Sequence, residues 1–183
     1  MLIECGFVRA VVPDGSEYTF TPSLARIASL GDPHSIVRLY ADLHGPRAEA
    51  EAGYVLACLC DQDDPTPLIG WIDSDGLRNP GTMPAAEQVI LARHLMHHGI
   101  IGKAKPEKGN GQYSDRFDVA EYIAAARVHL GLSSADAESL SMTEFQMMLA
   151  MKYPESQEKQ IPSRDEYRKA MQAAQMKEQR NGV

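Results

Sequence analysis

The chain has 183 residues, 44% of them hydrophobic and 23% charged, with a net charge of −7. That length and balance suit one globular domain, or a domain with a small appendage, built on a true core. The acidity excludes a basic phosphate-binding footprint and an anionic membrane surface as partners, and no apolar run is long enough to span a bilayer. Cys5, Cys58 and Cys60 are an odd set in a chain too long for a disulfide scaffold, so free thiols are expected. The N-terminus lacks the basic-then-apolar build of a signal peptide. The expected location is a reducing cytoplasm.

In chain order, residues 2–12 and 17–20 read as a hairpin around the turn residues Pro13, Asp14, Gly15 and Ser16. Thr21 and Pro22 look like a helix start, with the helix running to about Leu30. Gly31, Asp32 and Pro33 end it and lead into a second helix over 35–43, and residues 47–60 form a third. A loop at 61–67, a short apolar patch at 68–72 and a second loop at 73–82 follow, rich in Asp, Gly, Asn and Pro. Trp71, in the patch, reads as a core anchor. Pro84 starts a helix over 85–98 that Gly99 stops. Residues 102–114, with several lysines and glycines, read as a linker between two modules, 1–101 and 115–183. Beyond it, Asp115 or Asp118 caps a helix to Leu130, Gly131 supplies a left-handed stop, and two short helices follow. A charged helix is expected over 163–177.

Few constellations invite chemistry. His94 and His98 stand one helical turn apart beside His97 and could share a metal with Cys58 and Cys60. However, the Cys-x-Cys spacing is not that of a zinc knuckle, and no Glu sits between the histidines as a general base. Asp73-Ser74-Asp75-Gly76 begins like a calcium loop but lacks the later ligands, and reads as a solvated turn. No nucleophile elbow, phosphate loop or dinucleotide fingerprint occurs. Neither metal nor cofactor is expected, nor is catalysis.

The most informative stretch runs from Gly131 to Met151. Ser141 and Glu144 have the spacing of a capping box, each side chain serving the other's amide. The following helix carries Met142, Phe145, Met148, Leu149 and Met151, mostly on one face. Adaptable thioethers suit surfaces that bind other proteins, although a Met-filled core helix is the commoner case for such a pattern.

Gly131-Leu132-Ser133, then Asp136, then Leu140-Ser141-x-x-Glu144-Phe145 with Leu149 resembles the C-terminal signature of phage tail assembly chaperones. The chain departs from the family pattern in having Ser141 for Thr, and Glu138-Ser139 where an aromatic is usual. The N-terminal half is similar in layout to chaperones of long non-contractile tails, the lambda type. The resemblance implies a protein that coats the tape-measure protein, keeps it soluble and recruits tail tube subunits, in the host cytoplasm. From it, Leu140, Glu144, Phe145 and Leu149 are carried over as partner-binding; periodicity alone adds Met142, Met148 and Met151.

The fold expected is mainly α-helical with a small N-terminal β-hairpin, in two modules, and the function is non-catalytic assembly. The expected partners are the tape-measure and tail tube proteins, with self-association allowed and no nucleic acid or membrane. A structural virion protein, such as a tail terminator or connector subunit, is the first rival. A small metal-dependent enzyme using His94, His97 and His98 is the second.

Overall fold

The computed structural model describes residues 3–103 and 115–154. It is mainly α-helical, with two small antiparallel two-stranded sheets. The chain divides into two compact units, residues 1–149 and 150–183. The helix expected over 163–177 and most of the segment 102–114 lie outside the described residues.

The first hairpin forms as the turn chemistry dictates. β1 (Val8–Val11) pairs with β2 (Glu17–Phe20), Val8 facing Phe20 and Val11 facing Glu17. The Asp14 carboxylate accepts from the Ser16 amide at 2.7 Å, closing the turn. Tyr18 and Phe20 point into the core. The next residues stay extended, because the Thr21 amide donates to the Leu59 carbonyl and the Asp61 amide to the Thr19 carbonyl.

That pairing displaces the first helix from its expected start. α1 (Leu24–Ala28) is capped by Ser23, whose hydroxyl accepts from the Arg26 amide, not by Thr21. Only five residues long, α1 nevertheless lies at the centre, with Leu24 and Ile27 fully buried. Around it pack α2 (Pro33–Asp42), α3 (Ala48–Leu59), α6 (Val119–Ala125) and α7 (Ser134–Ser139). Asp32 caps α2 by accepting from the His34 and Ser35 amides, with Pro33 at the first helical position.

α3 lies along α5 (Ala85–Met96) in the main helical pairing of the fold. Two arginines satisfy the carbonyls that helix ends leave open. Arg26 donates to the Cys58 and Cys60 carbonyls and pairs with Asp61 at 3.1 Å. Arg93 donates to the Leu43 carbonyl at 2.7 Å, beyond the end of α2.

α5 does not stop at Gly99. It continues as a π-helical turn, His97–Ile101. Gly99 is there for contact: a Cβ on it would lie 2.5 Å from Ile27 Cδ1. The turn thereby sits directly against α1.

The helices after residue 114 pack on the same core as those before 102. The Phe117 amide donates to the Pro33 carbonyl, the Leu24 amide donates to the Leu140 carbonyl at 2.8 Å, and Ser23 forms a β-bridge with Ser141. Of the two candidates Asp115 and Asp118, it is Asp118 that caps α6, and Gly131 closes the π-helical turn Ala126–Leu130 in the left-handed conformation.

A second hairpin stands where the sequence suggested an apolar patch and a loop. After α4 (Thr66–Ile69), β3 (Trp71–Ile72) pairs with β4 (Arg78–Asn79). Its neck is tight: a Cβ on Gly70 would meet the Asn79 carbonyl oxygen at 2.3 Å, and Gly70 has φ +83°. Gly70→Ala is therefore expected to cost about 1–3 kcal/mol. A lowered Tm with altered near-UV ellipticity from Trp71 would register it; an unchanged Tm would show the neck to be compliant.

Candidate partner-binding surface

The corner between α7 and α8 (Met142–Lys152) is set by short-range chemistry. Ser133 caps α7, its hydroxyl accepting from the Asp136 amide at 3.1 Å. One turn on, the capping box forms in full. The Glu144 amide donates to Ser141 Oγ at 3.2 Å, and the Ser141 amide donates to the Glu144 carboxylate at 3.0 Å. Ser141 is buried, so its hydroxyl has no solvent to replace that partner. Ser141→Ala is expected to lose about 0.5–2 kcal/mol, seen as an earlier urea midpoint with an unchanged slope.

Direction along α8 differs from a single exposed stripe. Met142 and Phe145 are core residues, 2% and 5% exposed, and Phe145 meets the Tyr122 ring edge-on at 6.1 Å between centroids. Tyr122 in turn stacks on Phe117 at 4.8 Å. Leu140 and Leu149 are partly buried against the same core. The expectation that Met142 and Phe145 lie on an accessible binding face is thus corrected. Phe145 packs on Tyr122 of α6 and Met142 joins the common core, and helix periodicity cannot say which side the neighbours occupy. Outward, α8 presents Met148, 36% exposed, and Met151, 81% exposed. Glu144 is committed to its cap.

The histidine cluster packs at the joint of α5 and α8. The His94 and His98 rings lie 4.6 Å apart, and His98 Nδ1 is 2.8 Å from the Thr143 hydroxyl. His97 is exposed, with its ring edge-on to His98. Burial and the neighbouring histidines push His98 down to about 4, and burial lowers His94 as well. His94 Nε2 is buried with no hydrogen-bond partner among the described residues. No group of three or more His, Cys, Asp or Glu that could hold a metal is found among the described residues. Cys58 and Cys60 are free thiols, as is Cys5, and burial raises Cys60 and Cys5 above the ordinary thiol range. Gln146 completes the joint, donating to the Ile101 carbonyl at 3.0 Å and accepting from the Lys103 amide.

Among the described residues, the most exposed aromatic surface is elsewhere. Trp71 is 52% exposed, Ile72 69% and Leu77 66%, so Trp71 is not the core anchor its apolar neighbours suggested. The patch turns outward because α4 ends at Gly70 and only Leu68 and Ile69 enter the core. A signal was present: the turn residues of 73–76 are followed by Leu77-Arg78-Asn79, the return strand of a hairpin too short for periodicity to register. A separate shallow groove of about 230 Å³ runs between Val12 at the end of β1 and Leu68, Met83 and Glu87.

Over residues 45–170 the chain matches a family of unknown function (DUF6246). No curated protein and no solved structure matches it.

Proposed function

This chain belongs to the DUF6246 family, and we propose that it is a non-catalytic phage tail assembly chaperone that binds the tape-measure protein and recruits tail tube subunits. The observation that supports this best is the capped corner. Leu140, Glu144, Phe145 and Leu149 carry the resemblance to tail assembly chaperones, and together with Ser141 they fix where α8 begins and how it is seated. Beyond that corner, Met148 and Met151 give α8 a soft apolar edge suited to partners of variable shape. The chain's acidity keeps such a protein soluble while many copies hold a long amphipathic helix by weak, displaceable contacts.

The roles divide accordingly. Phe145, Met142 and Leu149 hold the helix in place, Glu144 caps it, and Met148 and Met151 make contact. Co-expression with the tape-measure and tube proteins of the same genome tests the reading. Soluble tape measure eluting with many copies of this chain is the expected result. A chain that ignores both proteins and forms a closed ring by light scattering would replace it with the structural virion reading. Stoichiometric metal after chelator-free purification, lost in His94→Ala, would replace it with the enzyme reading.

A further inference from the structure

We infer that the hairpin of residues 70–81 is a preformed anchor for an amphipathic helix whose apolar stripe is flanked by Lys or Arg, a contact that rests on the chaperone reading and gives it a second binding element. A two-stranded hairpin alone is marginal in water. This one is held by its ends and by its tip. At the neck, Gly70 and Gly81 bring the backbones together more closely than any Cβ would permit. The Thr82 and Met83 amides donate to the Pro67 and Leu68 carbonyls. The buried Gln88 amide group donates to the Ile69 and Met83 carbonyls at 2.8 and 2.9 Å. At the tip, the Asp73 carboxylate accepts from the Asp75 and Leu77 amides at 3.0 and 2.8 Å. The hairpin therefore needs little ordering when a partner arrives, which removes one of the main costs of association.

What it presents is apolar. Trp71 faces Asn79 and Ile72 faces Arg78, so alternation puts Trp71 and Leu77 diagonally on one side and Ile72 on the other. A diagonal cross-strand pair lies about 7–8 Å apart, close to the 5–6 Å between helix positions three or four apart, so a helical stripe can seat both side chains. Tryptophan is also the residue most enriched where truncation costs an interface most.

Charge selects the partner. Asp63, Asp64 and Asp75 are exposed on and before the hairpin, Asp73 is held in its tip, and Arg78 is the one cation between residues 61 and 79. An acidic helix, a nucleic acid or an anionic membrane meets repulsion there, whereas a Lys/Arg-flanked stripe meets complementary charge.

Trp71 is the sole tryptophan, so the contact reports itself. The full chain is titrated with two synthetic helical peptides that share one Leu stripe, one flanked by Lys and the other by Glu. The lysine peptide should shift Trp71 emission to shorter wavelength, and the glutamate peptide should leave it unmoved. By calorimetry, Trp71→Ala and, separately, Leu77→Ser should weaken lysine-peptide binding about tenfold or more while circular dichroism stays unchanged. Equal response to both peptides, no shift at all, or unchanged affinity in both variants would overturn the inference. So would a shift produced by zwitterionic vesicles in place of the lysine peptide, which would make the hairpin a lipid contact. The two levels separate in the co-expression assay. If Trp71→Ala still recovers tape measure and Met148→Asp does not, the hairpin contact fails and the chaperone reading stands. If wild type recovers none while the lysine peptide still shifts Trp71, the chaperone reading fails and the hairpin's specificity survives.

Discussion

Replacing Phe145 with aspartate is expected to unfold the protein. Phe145 is buried between α8 and α6, edge-on to Tyr122, and Tyr122 stacks on Phe117. Truncating a core phenylalanine alone costs about 3–5 kcal/mol, and an unpaired carboxylate in that space adds several more. A domain of ordinary stability has about 5–15 kcal/mol in total, so the substitution removes most or all of it. Far-UV ellipticity at 25 °C is the measurement, with Met148→Asp beside it. Met148 is partly exposed, and its variant should keep its helicity and fall within about 1 kcal/mol of wild type. A folded Phe145→Asp protein with a Tm within a few degrees of wild type would mean that α8 does not rest on this core.

Stability should decline as pH falls from about 6.5 to about 4, before most carboxylates titrate. The cause is His98, which burial, and then its place beside His94, His97 and Lys103, hold at about 4. Its folded value lies below the unfolded one, so in that window the unfolded chain binds more protons and acid favours unfolding. Above about 6.5 both states are neutral at this ring and the contribution is complete. The full shift would correspond to roughly 3 kcal/mol, and solvent screening of a half-buried ring reduces this to about 1–2 kcal/mol. His94, lowered by burial and His97, acts in the same direction. Urea midpoints between pH 4 and 7 would show the slope, and His98→Gln should flatten it. An equally steep decline in His98→Gln would assign it to other groups. Asp14, Asp32 and Asp64, each held low by hydrogen bonds to nearby residues, add their losses only at more acid pH.

What the chain discloses in advance is what is decided locally. The caps at Asp118 and Ser141, the left-handed Gly131 and the turn at Asp14 each depend on residues within a few positions, and all form as the sequence suggests. The mainly helical class with an N-terminal hairpin was legible for the same reason. What was not legible depends on neighbours distant in sequence. α1 starts late because residues 19–21 are bonded to Leu59 and Asp61. α5 runs past Gly99 because that glycine admits Ile27. The Met and Phe positions of α8 split between core and solvent according to where α6 and the common core lie. Trp71 was placed inside by its apolar neighbours, and a two-residue strand gives no period to say otherwise.

The bonds joining Leu24 to Leu140 and Ser23 to Ser141 span well over half the chain. They set an order of events during synthesis. At about 5–20 residues per second, the segment around α1 leaves the ribosome several seconds or more before the residues that cover it. Until α6 and α7 arrive, Leu24 and Ile27 lack part of their enclosure, and closing so long a loop is a slow step. A ribosome halted near residue 101 would therefore hold a nascent chain sensitive to protease around α1, and one halted after residue 149 with its helices clear of the exit tunnel would not.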